Sequence, residues 1–163
     1  MKIFVHSGTQ EMEFTRLLDF SIRSAQSQPS NLISYQGYIR NPQTISQLPK
    51  NIRFYDFLVK SEFENAISEA HVVVCHAGTG AIFNSISLGH RPYVLPRLAK
   101  YGEHNDNHQL ELYHLLVEKG LVLELPKDGN LECTRDIATK GLARNFFDGG
   151  LIVSVLNEIG VNN

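Results

Sequence analysis

Four consecutive residues without a charge or an amide, Val72, Val73, Val74 and Cys75, run directly into His76-Ala77-Gly78-Thr79-Gly80. A strand this apolar cannot alternate between core and water. It needs cover on both faces, which is the setting of a parallel sheet in an α/β domain. The glycine turn leads into a helical stretch, Ala81 to Leu88, stopped by Gly89.

Around this unit the chain alternates short β-rich runs with longer helical ones, the pattern of a parallel sheet with helices on both faces. Ile3 to His6 reads as a first strand ending in Ser7-Gly8-Thr9, and Glu11 to Gln26 as a helix with Phe14, Leu17, Leu18, Ile22 and Ala25 on one face. Asn31 to Tyr38 is a strand, Pro42 to Lys50 a polar loop with two prolines, Ile52 to Leu58 a strand and Ser61 to Glu69 a helix. Tyr93 to Leu95 is a strand between two prolines, followed by a polar loop, Arg97 to Asn105. Asp106 to Lys119 is a helix with Leu110, Leu112, Leu115 and Leu116 as its apolar face, and Leu121 to Leu125 a last strand before two closing helical segments. No repeat or linker interrupts the pattern, so residues 1–163 are expected to form one Rossmann-like domain.

Composition narrows the functional classes. Charged residues make up 20% and hydrophobic residues 42% of the chain, which suits a soluble globular domain. A net charge of −2 provides no basic field, so nucleic acid is not expected as a partner. Cys75 and Cys133 stand far apart and outside any CxxC pattern, so they read as free thiols in a reducing compartment. The N-terminal MKIFVHSGTQ turns polar too early for a signal peptide, and no run reaches the length of a membrane span. A cytoplasmic protein is expected, with any membrane attachment supplied by another molecule.

Two stretches concentrate polar groups at strand ends. In His76–Gly80, Gly78 and Gly80 allow the backbone close to a ligand, and the helix that follows offers unpaired N–H groups and a positive dipole end to a pyrophosphate. The turn lacks a Walker lysine and dinucleotide spacing, so an ordinary tight turn is the competing reading. Gly8 and Thr9 form a second such turn. The stretch 97–109, RLAKYGEHNDNHQ, places Asn107, His108 and Gln109 at the start of a helix, within reach of a sugar or ribose in the same cleft. His104 and His108 are four apart, but no third ligand follows at metal-site spacing, and there is no GxSxG elbow for a serine nucleophile. No metal or other cofactor is expected.

The segment CHAGTGAIFNSISLGHRPYVLPRLAKYGEHNDNHQLEL resembles the C-terminal domain of family 28 glycosyltransferases, and IFVHSGT resembles that family's opening strand and turn. Within the family the GEHNDNHQLE stretch is most similar to small exopolysaccharide and capsule subunits. These act with a membrane-anchored partner and are relatives of the catalytic subunit of the dolichol-pathway N-acetylglucosaminyltransferase. The likeness covers most of the chain and weakens from about Pro126.

The resemblance implies the C-terminal, donor-binding half of a GT-B enzyme. Gly78, Thr79 and Gly80, opened by His76, would face the diphosphate of a UDP-sugar, with Gly8 and Thr9 approaching from the other turn. His108 and Gln109, with Asn107 beside them, would contact the sugar or phosphates. Asn84 stands where many members carry a ribose-binding glutamate, a substitution the exopolysaccharide subgroup shares. Arg97, Lys100 or the first-turn histidine, His108, would supply a cation for a glucuronate carboxylate. Glu103 and His104 are the candidate general bases on this chain, the alternative being a base on the partner. One domain leaves the acceptor half to a membrane-anchored subunit carrying a polyprenyl-diphosphate-linked sugar acceptor. The stripe Phe146, Phe147, Leu151, Ile152, Val155, Leu156 and Ile159 would either meet that subunit or pack on the chain's own sheet.

Overall fold

The computed structural model describes residues 1–135 and, for His108, the backbone. Six strands, β1 (Lys2–His6), β2 (Leu32–Gln36), β3 (Ile52–Tyr55), β4 (Val72–His76), β5 (Tyr93–Leu95) and β6 (Leu123–Glu124), form one parallel sheet in the order β3-β2-β1-β4-β5-β6. That is the doubly wound order, with its topological switch point between β1 and β4. Five helices accompany it: α1 (Thr15–Ser27), α2 (Pro42–Ser46), α3 (Lys60–Glu69), α4 (Thr79–Ser87) and α5 (His108–Glu118).

Alternate residues of the central strands meet different helices. Ile3, Val5, Val72 and Val74 pack with Leu17 and Leu18 of α1, whereas Phe4 and Val73 pack with Ile67 of α3. Cys75 and Val94 share a third cluster with Ile82 and Ile86 of α4 and Leu112 and Leu116 of α5. Val72, Val73, Val74 and Cys75 are all fully buried, which accounts for the unbroken apolar run: β4 is central and covered on both sides.

Several strands are shorter than the sequence pattern suggests, β3 ending at Tyr55 and β6 covering only Leu123–Glu124, and three helical boundaries differ from it. The first helix begins at Thr15, not Glu11, because the carbonyl of Met12 accepts a hydrogen bond from Arg97 and Phe14 is buried, so residues 8–14 pack as a loop. The proline-containing stretch after β2 holds the short helix α2. Asn41 caps it by accepting from Gln43 N at 3.0 Å, and Pro42 occupies the first turn, where a missing N–H costs nothing. Helix α4 starts at Thr79, inside the glycine motif. The two closing helical segments and the 146–159 stripe lie outside the described residues.

Candidate functional site

The switch point opens where β1 and β4 end side by side, His6 standing opposite Cys75 in the pairing. Beyond β1 the chain turns at Gly8, which holds φ +87°, a conformation that favours glycine. Beyond β4 it turns at Gly78 into α4. The imidazole of His76 lies between the two turns. A Cβ built on Gly8 would stand 2.7 Å from its Cε1, and one built on Gly78 would stand 2.9 Å from its Cδ2. Both glycines are therefore required by the ring they enclose. Gln36 steadies the first turn from the end of β2, its Nε2 donating to the carbonyls of Gly8 and Asp56 at 3.3 and 3.2 Å.

The second turn prepares a binding surface. Gly78 precedes α4 and provides no side-chain cap, so the first-turn N–H groups of the helix are left without that partner, next to the positive end of its dipole. Thr79 and Gly80 are exposed there, and a Cβ on Gly80 would meet nothing within 4 Å. Asn84, half-buried, lies one helical turn further along the same face as Gly80. Thr9 is exposed beyond the Gly8 turn.

Beneath the cleft two histidines are held neutral. His76 has its pKa lowered to about 4, first by burial and then by the positive charge of Arg97. His6, 1% exposed, is lowered well below the usual value, first by burial and then by His76. His6 packs between aromatic rings, 5.4 Å from Phe4 and 4.9 Å from Phe63, with His76 6.2 Å away. Nothing local foreshadows this pairing, since the two residues are 70 positions apart.

Arg97 and Glu103 take places different from those expected. Arg97 is 0% exposed. Its guanidinium donates to the carbonyl oxygens of Ser7 (2.6 Å), Met12 (2.9 Å) and Glu103 (2.9 Å), and it lies 4.7 Å from the Phe14 ring centre. It cannot touch a sugar carboxylate from there, and the direct substrate contact expected of it is corrected to a buried structural one. Glu103 is 1% exposed. Its carboxylate accepts from Arg16 Nε at 2.9 and 3.0 Å, from the Arg16 terminal nitrogen, and from Leu98 N at 3.1 Å. A carboxylate so enclosed, with its oxygens taken by these donors, is not within reach of an acceptor hydroxyl, so its expected role as general base is likewise corrected. Arg16 also donates to Pro96 O and lies over Tyr101.

The rest of the loop is ordered by its own polar groups. Asn107 is exposed and its Oδ1 accepts from Ala99 N at 3.1 Å, holding a 3-10 turn over Ala99–Tyr101. Gln109 is buried, and its Oε1 accepts from the backbone N–H of Arg97 at 3.1 Å. His104 Nδ1 accepts from the backbone N–H of Asp106 at 3.3 Å and stands 3.1 Å from that residue's Oδ1, a neighbour of the imidazole that residue spacing alone did not single out. His108 opens α5. Lys100 is exposed beside Tyr101. Gly8, His76 and Gly78 thus form one group, and Arg97, Glu103, Asn107 and Gln109 form the frame of the neighbouring loop.

The model of the family described as "Glycosyltransferase family 28 C-terminal domain" matches residues 2–127. This chain belongs to that family. Solved structures of glycosyltransferases share its fold: SnogD from Streptomyces nogalater (16% identity, TM-score 0.56, 98% of this chain), the glycotransferase of kitacinnamycin (18%, 0.64, 94%) and CalG4, the calicheamicin glycosyltransferase (16%, 0.59, 96%). The family 28 chain spans 39%, 41% and 42% of their respective lengths. It has the architecture of the C-terminal half of a GT-B glycosyltransferase. No curated protein matches the chain in sequence. Among the described residues no helix is long and apolar enough to cross a membrane.

Proposed function

We propose that this domain is the donor-binding catalytic subunit of a two-component, inverting glycosyltransferase. It takes a UDP-sugar, with UDP-glucuronate or UDP-galactose favoured over UDP-N-acetylglucosamine. The acceptor is a polyprenyl-diphosphate-linked sugar held by a membrane-anchored partner at the cytoplasmic face, in exopolysaccharide or capsule synthesis. The observation that carries this reading is the pair of glycine turns at the switch point, set on either side of His76 and followed by an α4 N-terminus without a side-chain cap. Open α/β sheets bind ligands at this crevice, and a diphosphate matches the dipole and the N–H groups offered.

On this reading the first turn of α4, through Thr79 and Gly80, takes the diphosphate, while Gly8 and Thr9 face it from across the cleft. As the sugar departs, negative charge grows on the diphosphate, and fixed N–H dipoles stabilise it without reorganising. Asn84 is placed one turn on for a ribose hydroxyl. Asn107, His108 and Gln109 open α5 on the sugar side. Lys100, the exposed cation of the 3-10 turn, is the counter-charge for a glucuronate carboxylate. His104, oriented by Asp106, is the base candidate that remains on this chain.

Calorimetric titration of the chain with UDP and the three UDP-sugars, with EDTA present, tests the reading. Metal-independent UDP binding with one sugar preferred supports it. If neither the chain alone nor the chain co-expressed with its partner binds UDP, the donor-site reading fails and a scaffolding subunit is what remains.

A further inference from the structure

The largest fully buried side chain of the described residues belongs to Arg97, and its surroundings are unusual for a buried cation. Its hydrogen bonds end on three backbone carbonyls, while its Nε has no partner among the described residues. The nearby carboxylate of Glu103 is taken by Arg16 and Leu98 N, and Arg97 touches only that residue's carbonyl. An arginine does not give up its proton in a protein. The interior of the domain therefore holds a positive charge with no carboxylate in contact with it. Burying such a charge is costly, and its carbonyl hydrogen bonds offset that cost only in part.

The three carbonyls show what the charge is placed to control. Ser7 immediately precedes the Gly8 turn, Met12 lies in the same loop, and Glu103 lies in the loop that leads to α5. The backbone N–H of Arg97 holds Gln109 in the first turn of α5. One residue thereby ties the Gly8 turn to the 97–109 loop beside it. Its charge is also felt at the cleft floor, where it helps to keep His76 neutral alongside burial and the charge of His104, while the backbone of His6 acts in the opposite sense.

We infer that Arg97 is a positioning residue for the diphosphate: it locks the Gly8 turn to the 97–107 loop and provides a fixed positive charge beneath the phosphates without touching them. This rests on the donor-site reading above. It separates two parts of the ligand, since the diphosphate responds to Arg97 and the nucleoside does not.

The test compares wild type, R97Q and R97K for binding of UDP and of uridine, with circular dichroism to verify folding and NMR titration of His76. R97Q should weaken UDP binding by about tenfold or more, as the loss of a buried positive charge acting on a diphosphate predicts. Uridine affinity should be unchanged and the His76 pKa should rise. R97K keeps the charge but not the three-way fork, so it should hold the His76 pKa near the wild-type value and lose UDP affinity only a few-fold. A folded R97Q that binds UDP like wild type, or that loses UDP and uridine equally, overturns the inference. Should R97Q not fold, R97K decides: a loss confined to UDP supports the inference, and an equal loss or no loss overturns it. If wild type binds UDP neither alone nor co-expressed with its partner, the donor-site reading fails instead, and the His76 titration still reports whether Arg97 sets the field at the cleft floor.

Discussion

His76 fills the space under Gly8 so closely that the position cannot carry a side chain: a Cβ there would lie 2.7 Å from Cε1 of the ring, on a backbone already at φ +87°. His76 ends β4 and Gly8 lies in the turn after the neighbouring β1, so the fit joins the ends of these strands at the point where the strand order reverses. Gly78 presses on the same ring from the other side.

Gly8→Ala should therefore be destabilising by about 1–3 kcal/mol through strain and overlap, seen as a lower urea midpoint. Gly80 gives the opposite result. It is helical, and a side chain there meets open space, so Gly80→Leu should leave the fold intact and raise stability by up to ~1 kcal/mol from helix propensity. On the donor-site reading it abolishes UDP binding in calorimetry. Unimpaired binding by a stable Gly80→Leu variant would remove α4 from the site.

Stability should fall on mild acidification. His76 and His90 are each lowered from 6.5 to about 4 in the folded chain, both mainly by burial. The unfolded chain thus takes up protons near pH 6.5 that the folded chain accepts only near pH 4. Stability from these groups is full above pH 6.5 and is lost as pH falls towards 4, with a slope of up to ~1.4 kcal/mol per pH unit for each group. Urea midpoints at pH 7.5 and 5 measure this, and His76→Gln should reduce the slope. Equal midpoints would contradict the buried, neutral state of both rings.

Removing Arg16 should cost more than its position suggests. It is 29% exposed, but its partner Glu103 is 1% exposed, so Arg16→Met leaves a buried carboxylate without its cation, a loss of about 3 kcal/mol. The double variant Arg16→Met, Glu103→Gln should recover part of it. A double-mutant cycle in thermal denaturation reads the coupling directly, and strict additivity would mean that the pair contributes nothing.

His104→Ala, assayed with the partner subunit, should lower kcat by about 10²–10⁴-fold and leave UDP affinity unchanged if this imidazole takes the acceptor proton. Asp106→Asn should give a smaller loss, since it removes the carboxylate 3.1 Å from Nδ1 but keeps the backbone N–H that holds the same nitrogen. An unaffected kcat would move the base to the partner.

Legibility in the sequence followed the range of the interaction. The apolar run 72–75 and the glycine turn after it already implied a buried parallel strand opening on a ligand, because both signals are local. Pro42 misled for a local reason as well: proline breaks helices in their interior, yet suits their first turn. What could not be read was held over long separations. Arg16 and Glu103 are 87 positions apart, and Arg97 meets Ser7 across 90. In a string of letters Arg97 and Glu103 look like the charges of a solvated loop, since nothing local tells that residues 7–14 close over them. Gln36 and His6, polar residues at strand ends, were the available hint of a site built from beneath.

The order of the sheet also bears on how the chain is made. Strand β1 pairs with β2 on one side and with β4 on the other. A nascent chain can bring β1 to β2 once about 40 residues have left the ribosome, but the other edge of β1 stays open until Val72–His76 emerges. Non-local parallel pairing of this kind is slow, and an open strand edge is a template for wrong partners. His6 waits at that edge for a ring 70 residues behind it, so the cleft cannot close before β4 has emerged, and a chain cut short before residue 76 would carry its central hydrophobic strand unprotected.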